Sequence, residues 1–132
     1  EPCLIQSSVA LAAAQRRLKR VCTNCKEEIQ VPDDVLERIQ FKKSLYKEEV
    51  TFVRGRGCNK CKGSGYKGRL AVIEAMPNYP QLQDLIMKHA PAMDIKRMAT
   101  KCGMRTLRQN ALAKAARGLT TIEEVLRATA AD

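Results

Sequence analysis

Apolar positions recur along the chain with two different periods. Leu4, Leu11 and Leu18 fall every seventh residue, with Ile5 and Ala12 beside them and Pro2 suited to a first helical turn, so residues 2–20 read as a helix. Its last turn would be basic through Arg16, Arg17, Lys19 and Arg20, charges that a helix dipole favours at that end; a phosphate or partner contact is their other use. Val31-Pro32-Asp33-Asp34 resembles a helix start, with Asp33 or Asp34 as cap and Val35, Leu36 and Ile39 as a small apolar face. Lys42, Lys43 and Lys47 mark an exposed loop. Val50 to Arg54, β-branched and aromatic, reads as a short strand, and Leu70 to Ala75 as another. Between these strands, Gly63, Gly65 and Gly68 predict a sharply turning backbone from which Tyr66 and Arg69 project.

Beyond the break at Pro77-Asn78-Tyr79-Pro80 the period becomes helical throughout. Leu82, Leu85 and Ile86 predict one helix over 81–88. Pro91 opens a second, with Met93, Ile95, Met98 and Ala99 inward and Gly103 as its stop. Leu107, Ala111, Leu112 and Ala115 line a third over 105–117, ended by Gly118. Thr121 and Glu124 have capping-box spacing and open a fourth, with Val125 and Leu126 apolar. The prediction is an α+β chain: an opening helix, a small module with short strands, and a bundle of four short helices whose methionines fill its core.

Totals narrow the class. The 132 residues are 45% hydrophobic but only 4% aromatic, with no Trp, so cores rest on aliphatic side chains and Met. A formal charge of +10 favours an acidic partner: nucleic acid, nucleotide phosphate or an anionic surface. No apolar run approaches the roughly 18 residues of a membrane span, and Val9 to Ala14 is followed rather than preceded by positive charge, the reverse of a signal peptide. With Cys3 and Cys102 outside any pairing pattern, a reducing, cytoplasmic setting is expected. The chain opens Glu1-Pro2 without an initiator Met, as an excised piece of a longer protein would.

The chemistry lies in two C-x-x-C pairs, Cys22-Thr23-Asn24-Cys25 and Cys58-Asn59-Lys60-Cys61. Two residues between thiolates let one tight turn span an edge of a metal ion's tetrahedral shell, and two such turns complete it. Four thiolates leave no open position, so Cys22, Cys25, Cys58 and Cys61 predict one structural Zn²⁺ per chain with no Lewis-acid role. A disulfide within one C-x-x-C would close little, and a thioredoxin-like motif would be single and set in a βαβ unit. Nothing else suggests catalysis. His89 is the lone histidine, there is no Ser/His/Asp set, and the glycines at 63–68 precede a strand, where a phosphate loop precedes a helix.

Several segments are similar, in order, to one family. Glu1-Pro2 through Ser7-Ser8, Ala14-Gln15-Arg16, both C-x-x-C pairs, Ser64-Gly65-Tyr66-Lys67-Gly68-Arg69, Gly103-Met104-Arg105-Thr106-Leu107-Arg108 and Gly118-Leu119-Thr120-Thr121-Ile122-Glu123-Glu124-Val125 resemble the C-terminal part of the hexameric secretion ATPases, which comprise the type IV pilus extension and type II secretion ATPases. Cys3 and Ser64 depart from the family's usual residues without touching a candidate ligand. The resemblance implies that residues 1–21 end a RecA-like ATPase core, 22–78 form a tetracysteine zinc module and 79–132 a helical subdomain. It implies a parent that hydrolyses ATP on Mg²⁺ as a homo-hexamer against an inner-membrane platform protein, peripheral to that membrane, without nucleic acid and without membrane insertion. The ATPase motifs of the family would lie upstream of Glu1. Two other readings compete. A zinc ribbon binding nucleic acid would use Arg54, Arg56, Lys60, Lys62, Lys67 and Arg69, and Cys58 to Gly65 is similar to the zinc domain of the DnaJ co-chaperones, although the first pair lacks the glycines.

Overall fold

A computed structural model describes residues 11–132. The order is strand β1 (Leu11–Val21), β2 (Lys26–Glu28), helix α1 (Asp33–Arg38), β3 (Val53–Gly55), β4 (Tyr66–Pro77), then α2 (Gln83–Met87), α3 (Ala92–Lys101), α4 (Leu107–Ala116) and α5 (Ile122–Ala128), with short 3₁₀ turns at Lys43–Leu45, Asn59–Cys61 and Pro80–Leu82. Two two-stranded sheets form, β1 with β4 and β2 with β3. The second is antiparallel, with Glu27 opposite Arg54 and Glu28 opposite Val53. That register lets the Arg54 Nε donate to Glu27 Oε1 at 2.6 Å, a cross-strand ion pair on an exposed face. No helix among the described residues is long and apolar enough to cross a membrane.

The predicted opening helix is corrected. Its described part, from Leu11, is a strand; residues 2–10 of that prediction lie outside the described residues. A seven-residue repeat with three members does not separate helix from strand, and pairing with β4 decides it. Leu18 is fully buried, and Arg17 and Lys19 on either side of it are exposed. The predicted strand at 50–54 is displaced to Val53–Gly55, and its partner β2 carried no apolar alternation by which to be read. At the other end, β4 begins at Tyr66 and takes in Gly68, so Tyr66 and Arg69 stand on a strand and not on a loop. Pro32, not an aspartate, occupies the cap position of α1, and Asp33 and Asp34 lie in its first turn.

The described residues form two compact units that interleave along the chain: the residues up to Gln15 with Ile73–Thr106, and Arg16–Val72 with Leu107–Asp132. Helices α2 and α3 fall in the first unit and α4 and α5 in the second. In the first unit Leu82, Ala99 and Met104 are buried, with Met76, Tyr79, Ile86, Ile95 and Met98 against them. Met87 and Met93 are exposed, contrary to a wholly internal role for the methionines. In the second unit Leu18 of β1, Val72 of β4, and Phe41 and Phe52 from the segment between the cysteine pairs share one core with Ala111, Leu112 and Ala115 of α4 and Ile122 and Val125 of α5. Leu126, predicted on the apolar face of α5, is exposed. Arg108 is buried at the start of α4, and its guanidinium donates to the Thr129 hydroxyl at 2.6 Å and carbonyl at 2.8 Å, capping α5 with positive charge where the helix dipole is negative.

Polar groups fix α5 to the strands. Thr121 Oγ1 accepts from the Glu124 N–H at 3.1 Å, the forward half of the predicted capping box. The Glu124 carboxylate does not return to the cap. It accepts from the Lys19 N–H of β1 at 2.8 Å and from Arg127 Nε at 2.9 Å. Tyr66 of β4 reaches the Thr121 hydroxyl at 2.8 Å, and the Thr120 hydroxyl donates to the Lys19 carbonyl at 2.7 Å. A buried carboxylate so surrounded has its proton held weakly: the Arg127 hydrogen bonds outweigh burial, and the Lys19 N–H helps, so Glu124 titrates below the ordinary carboxylate range.

One close crossing positions the cysteines. A Cβ on Gly55 would lie 2.1 Å from the Gly65 carbonyl oxygen, a contact no side chain tolerates. The Cys22 N–H donates to that same Gly65 carbonyl at 2.9 Å. At Gly63 and Gly68, by contrast, the space is open and only the positive φ, +81° and +84°, disfavours a side chain.

Two expectations follow from this packing. Gly55→Ala should lower stability by about 2 kcal/mol or more through backbone overlap, whereas Gly63→Ala and Gly68→Ala should cost only about 1–2 kcal/mol each from conformation; equal urea midpoints for the three variants would refute the crossing. Glu124→Gln should cost about 1–3 kcal/mol at neutral pH. Because the folded carboxyl has the lower pKa, its contribution is complete above the unfolded value of about 4.3 and fades as pH falls through the folded one. The gap between native and variant in urea unfolding should therefore close toward pH 3, and a gap constant with pH would contradict the assignment.

Candidate metal centre

Each cysteine pair ends a strand or begins a turn. Cys22 directly follows β1 and Cys25 directly precedes β2, while Cys58 caps the 3₁₀ turn that holds Cys61. The chain leaves that turn through Lys62, in the left-handed region at φ 56°, and Gly63. Hydrogen bonds from Gly63 N–H to the Cys58 carbonyl at 2.9 Å and from the Ser64 hydroxyl to the Cys61 carbonyl at 2.8 Å close it. The first turn is joined to the second by the Arg56 N–H, which donates to the Cys25 carbonyl at 3.2 Å.

All four predicted sulfurs converge. The Sγ atoms of Cys22, Cys25, Cys58 and Cys61 lie within 4.8 Å of one another and could hold a metal ion. Individual separations are 3.8 Å for Cys22–Cys58, 3.8 Å for Cys25–Cys61 and 3.7 Å for Cys58–Cys61. A tetrahedron with metal–sulfur bonds of about 2.3 Å has an edge of about 3.8 Å. A disulfide would need about 2.05 Å, and all four thiols are free. The donor set thus fits a tetrahedral thiolate site from both pairs together, with Cys22 and Cys61 buried and Cys25 and Cys58 half-buried.

Hydrogen-bond donors are distributed unevenly over the sulfurs. Cys61 Sγ accepts from the Cys58 and Gly65 N–H groups, both at 3.2 Å. Cys58 Sγ accepts from Asn24 Nδ2 at 3.2 Å, across from the other pair. Burial pushes the Cys25 thiol up to about 11, against the Gly57 N–H. At Cys58 the Asn24 amide prevails over burial and lowers the thiol. Burial also opposes ionisation at Cys61, but the Cys58 and Gly65 N–H groups with the adjoining thiols bring it down to about 6. A metal ion bound here would displace the remaining protons.

Asn24 and the crossing of Gly55 over Gly65 carry no signal in the sequence, because each acts through a contact between segments far apart in the chain. Other residues weighed for chemistry stay apart from the centre: His89 is exposed, Cys102 half-buried in the other unit, and Cys3 outside the described residues. Basic residues flank the cysteines along the chain. Residues 16–26 and 54–69 contain eleven of the 24 Lys and Arg and none of the 14 Asp and Glu. Lys60, Lys62, Lys67 and Arg69 are exposed, and the Lys19 ammonium lies 5.8 Å from the centre of the Tyr66 ring.

Known proteins align along the chain. The family model described as Type II/IV secretion system protein matches residues 1–127. The type IV pilus assembly ATPase PilB of Thermus thermophilus is 36% identical over 129 residues, covering 98% of this chain and 14% of that protein. PilB of Pseudomonas aeruginosa is 37% identical over 125 residues, 95% of this chain and 22% of its own. The type II secretion system ATPase E of Vibrio cholerae is 35% identical over 131 residues, 98% and 25%. The chain spans between about a seventh and a quarter of the length of these relatives. With a match running from residue 1 to residue 127, the chain belongs to the family of type II/IV secretion system proteins.

Proposed function

We propose that the chain is the zinc-bearing C-terminal region of a hexameric, ATP-driven motor for type IV pilus assembly or type II secretion. The observation that carries this reading is the family match over residues 1–127, with relatives that are pilus assembly and type II secretion ATPases. Cys22, Cys25, Cys58 and Cys61 would hold one Zn²⁺, and sulfur separations of 3.7–3.8 Å support it. The ion supplies cross-linking: a closed thiolate shell ties the end of β1 to the turn before β4. ATP and Mg²⁺ belong to the rest of the parent protein, because this sequence contains no G-x-x-x-x-G-K-[ST] loop. Residues 1–21 then close the ATPase core, as a strand over its described part, and the remainder serves assembly contacts with neighbouring subunits and an inner-membrane platform protein at the cytoplasmic face.

Charge favours a second reading. Eleven cations and no acidic residue on the metal-bearing segments would also suit a zinc ribbon on nucleic acid. The full-length protein decides between the two. The motor reading expects a G-x-x-x-x-G-K-[ST] loop in the coding sequence upstream of Glu1 and Mg²⁺-dependent ATP hydrolysis by the purified protein; absence of both would sink it. The ribbon reading expects tight, steeply salt-dependent binding of a DNA or RNA duplex.

Elemental analysis of protein purified under reducing conditions should find one zinc per chain, and a metal-free protein with four titratable thiols would contradict the centre. Cys61→Ser should speed hydrogen exchange over residues 16–72 and also over α4 and α5, which share their core. Helices α2 and α3, with a core of their own, should keep their protection. Uniform loss over all helices would show that the two units do not fold separately.

A further inference from the structure

We propose that Asn24 is a positioning residue of the metal centre, its side-chain amide holding the Cys58 sulfur and latching one cysteine pair to the other. The inference rests on the reading of the four cysteines as a metal site. Asn24 Nδ2 lies 3.2 Å from Cys58 Sγ, a residue 34 positions away. Among the described residues it is the one side chain other than the cysteines that donates to any of the four sulfurs. The remaining donors are the backbone N–H groups of Cys58 and Gly65, both to Cys61. Those follow from the turn geometry and serve sulfurs on their own or an adjoining strand of chain. Asn24 alone commits a side chain to the link.

The residue type suits the task. A metal-bound thiolate offers only lone pairs, so the partner must donate, and an amide nitrogen does so without adding charge. Donation withdraws electron density from a sulfur that is half-buried and open to solvent on one side, which lowers the charge a cation must share with four thiolates. It also fixes the direction of the Cys58 side chain before the ion enters, because the acceptor is held from the opposite pair. Outer-shell donors of this kind change metal affinity by about 10–100-fold when removed.

The test uses two variants of the folded chain, Asn24→Ala and the isosteric Asn24→Asp, each loaded with Co²⁺ and titrated with a competing chelator. Asn24 is exposed and contributes nothing to either core, so both variants should fold like the native chain. Asn24→Ala should weaken Co²⁺ binding about 10-fold or more, and Asn24→Asp, which keeps the shape but places a carboxylate beside a thiolate, should weaken it further. Both should shift the sulfur-to-cobalt charge-transfer bands, because the Cys58 sulfur becomes the better electron donor. Native affinity and spectrum in both variants would overturn the proposal, as would weakened binding with unshifted bands, which marks a merely conformational role. If the native chain itself binds no Co²⁺, the metal reading fails and this inference with it, an outcome distinct from a bound metal indifferent to Asn24.

Discussion

The second unit depends on two backbone turns meeting where no side chain can stand between them. Gly55 lies against Gly65 so closely that a methyl group on Gly55 would sit 2.1 Å from the Gly65 carbonyl oxygen, and the Cys22 N–H binds that carbonyl. This contact brings the end of β1 to the turn after Cys61, and the four sulfurs are gathered as a consequence. Residues 26–57 are thereby closed into a loop whose Ile39, Phe41 and Phe52 fold back onto Leu18 and Val72. Closing such a loop on contacts alone is entropically unfavourable, and a cross-link at its base offsets that cost. A four-sulfur centre stands where such a link acts on the whole loop at once.

The same unit explains why α4 and α5 belong with the cysteines. Neither helix buries a face by itself; Ala111, Leu112, Ala115 and Val125 are covered by strands and loop from the other side of the sequence. Direction comes from polar groups. Glu124 is buried, yet its charge is matched by Arg127 and a backbone N–H of β1, so it costs little to bury and specifies one orientation of α5. Tyr66 adds a bond from β4 to the cap of the same helix. Apolar contact holds this helix in place and hydrogen bonds set its angle.

What could be read from the sequence was whatever is local. The two C-x-x-C pairs, the glycine stops at Gly103 and Gly118, the start after Pro91 and the Thr121 cap all act within a few residues, and each stands where the pattern placed it. The misreadings have one physical source. Leu11 to Val21 is a strand because β4 pairs with it; β2 has three polar residues and exists because β3 lies opposite; Glu124 turns from its own cap because Lys19 offers an N–H. Residue spacing carries no record of such partners. The division of the helices between two cores was hidden for the same reason, since α3 and α4 are neighbours in sequence but their cores are separate.

Charge links the proposed zinc centre to its surroundings. Four thiolates on one Zn²⁺ leave a net −2, which must be supported by donors and cations nearby. The N–H groups of Cys58 and Gly65 and the Asn24 amide supply the first, and basic residues of the segments 16–26 and 54–69 the second. Without a metal the Cys25 thiol, pushed up to about 11, keeps its proton while Cys61, brought down to about 6, does not, so the sulfurs already carry part of that charge. The cationic segments favour the sulfurs in their ionised form, by an amount that salt screens within about 10 Å. Part of the basicity that suggests an acidic partner is thus already engaged within the molecule. All eleven basic side chains of these segments are exposed, Arg54 and Arg56 with Glu27 beside them, and these are what a partner would meet.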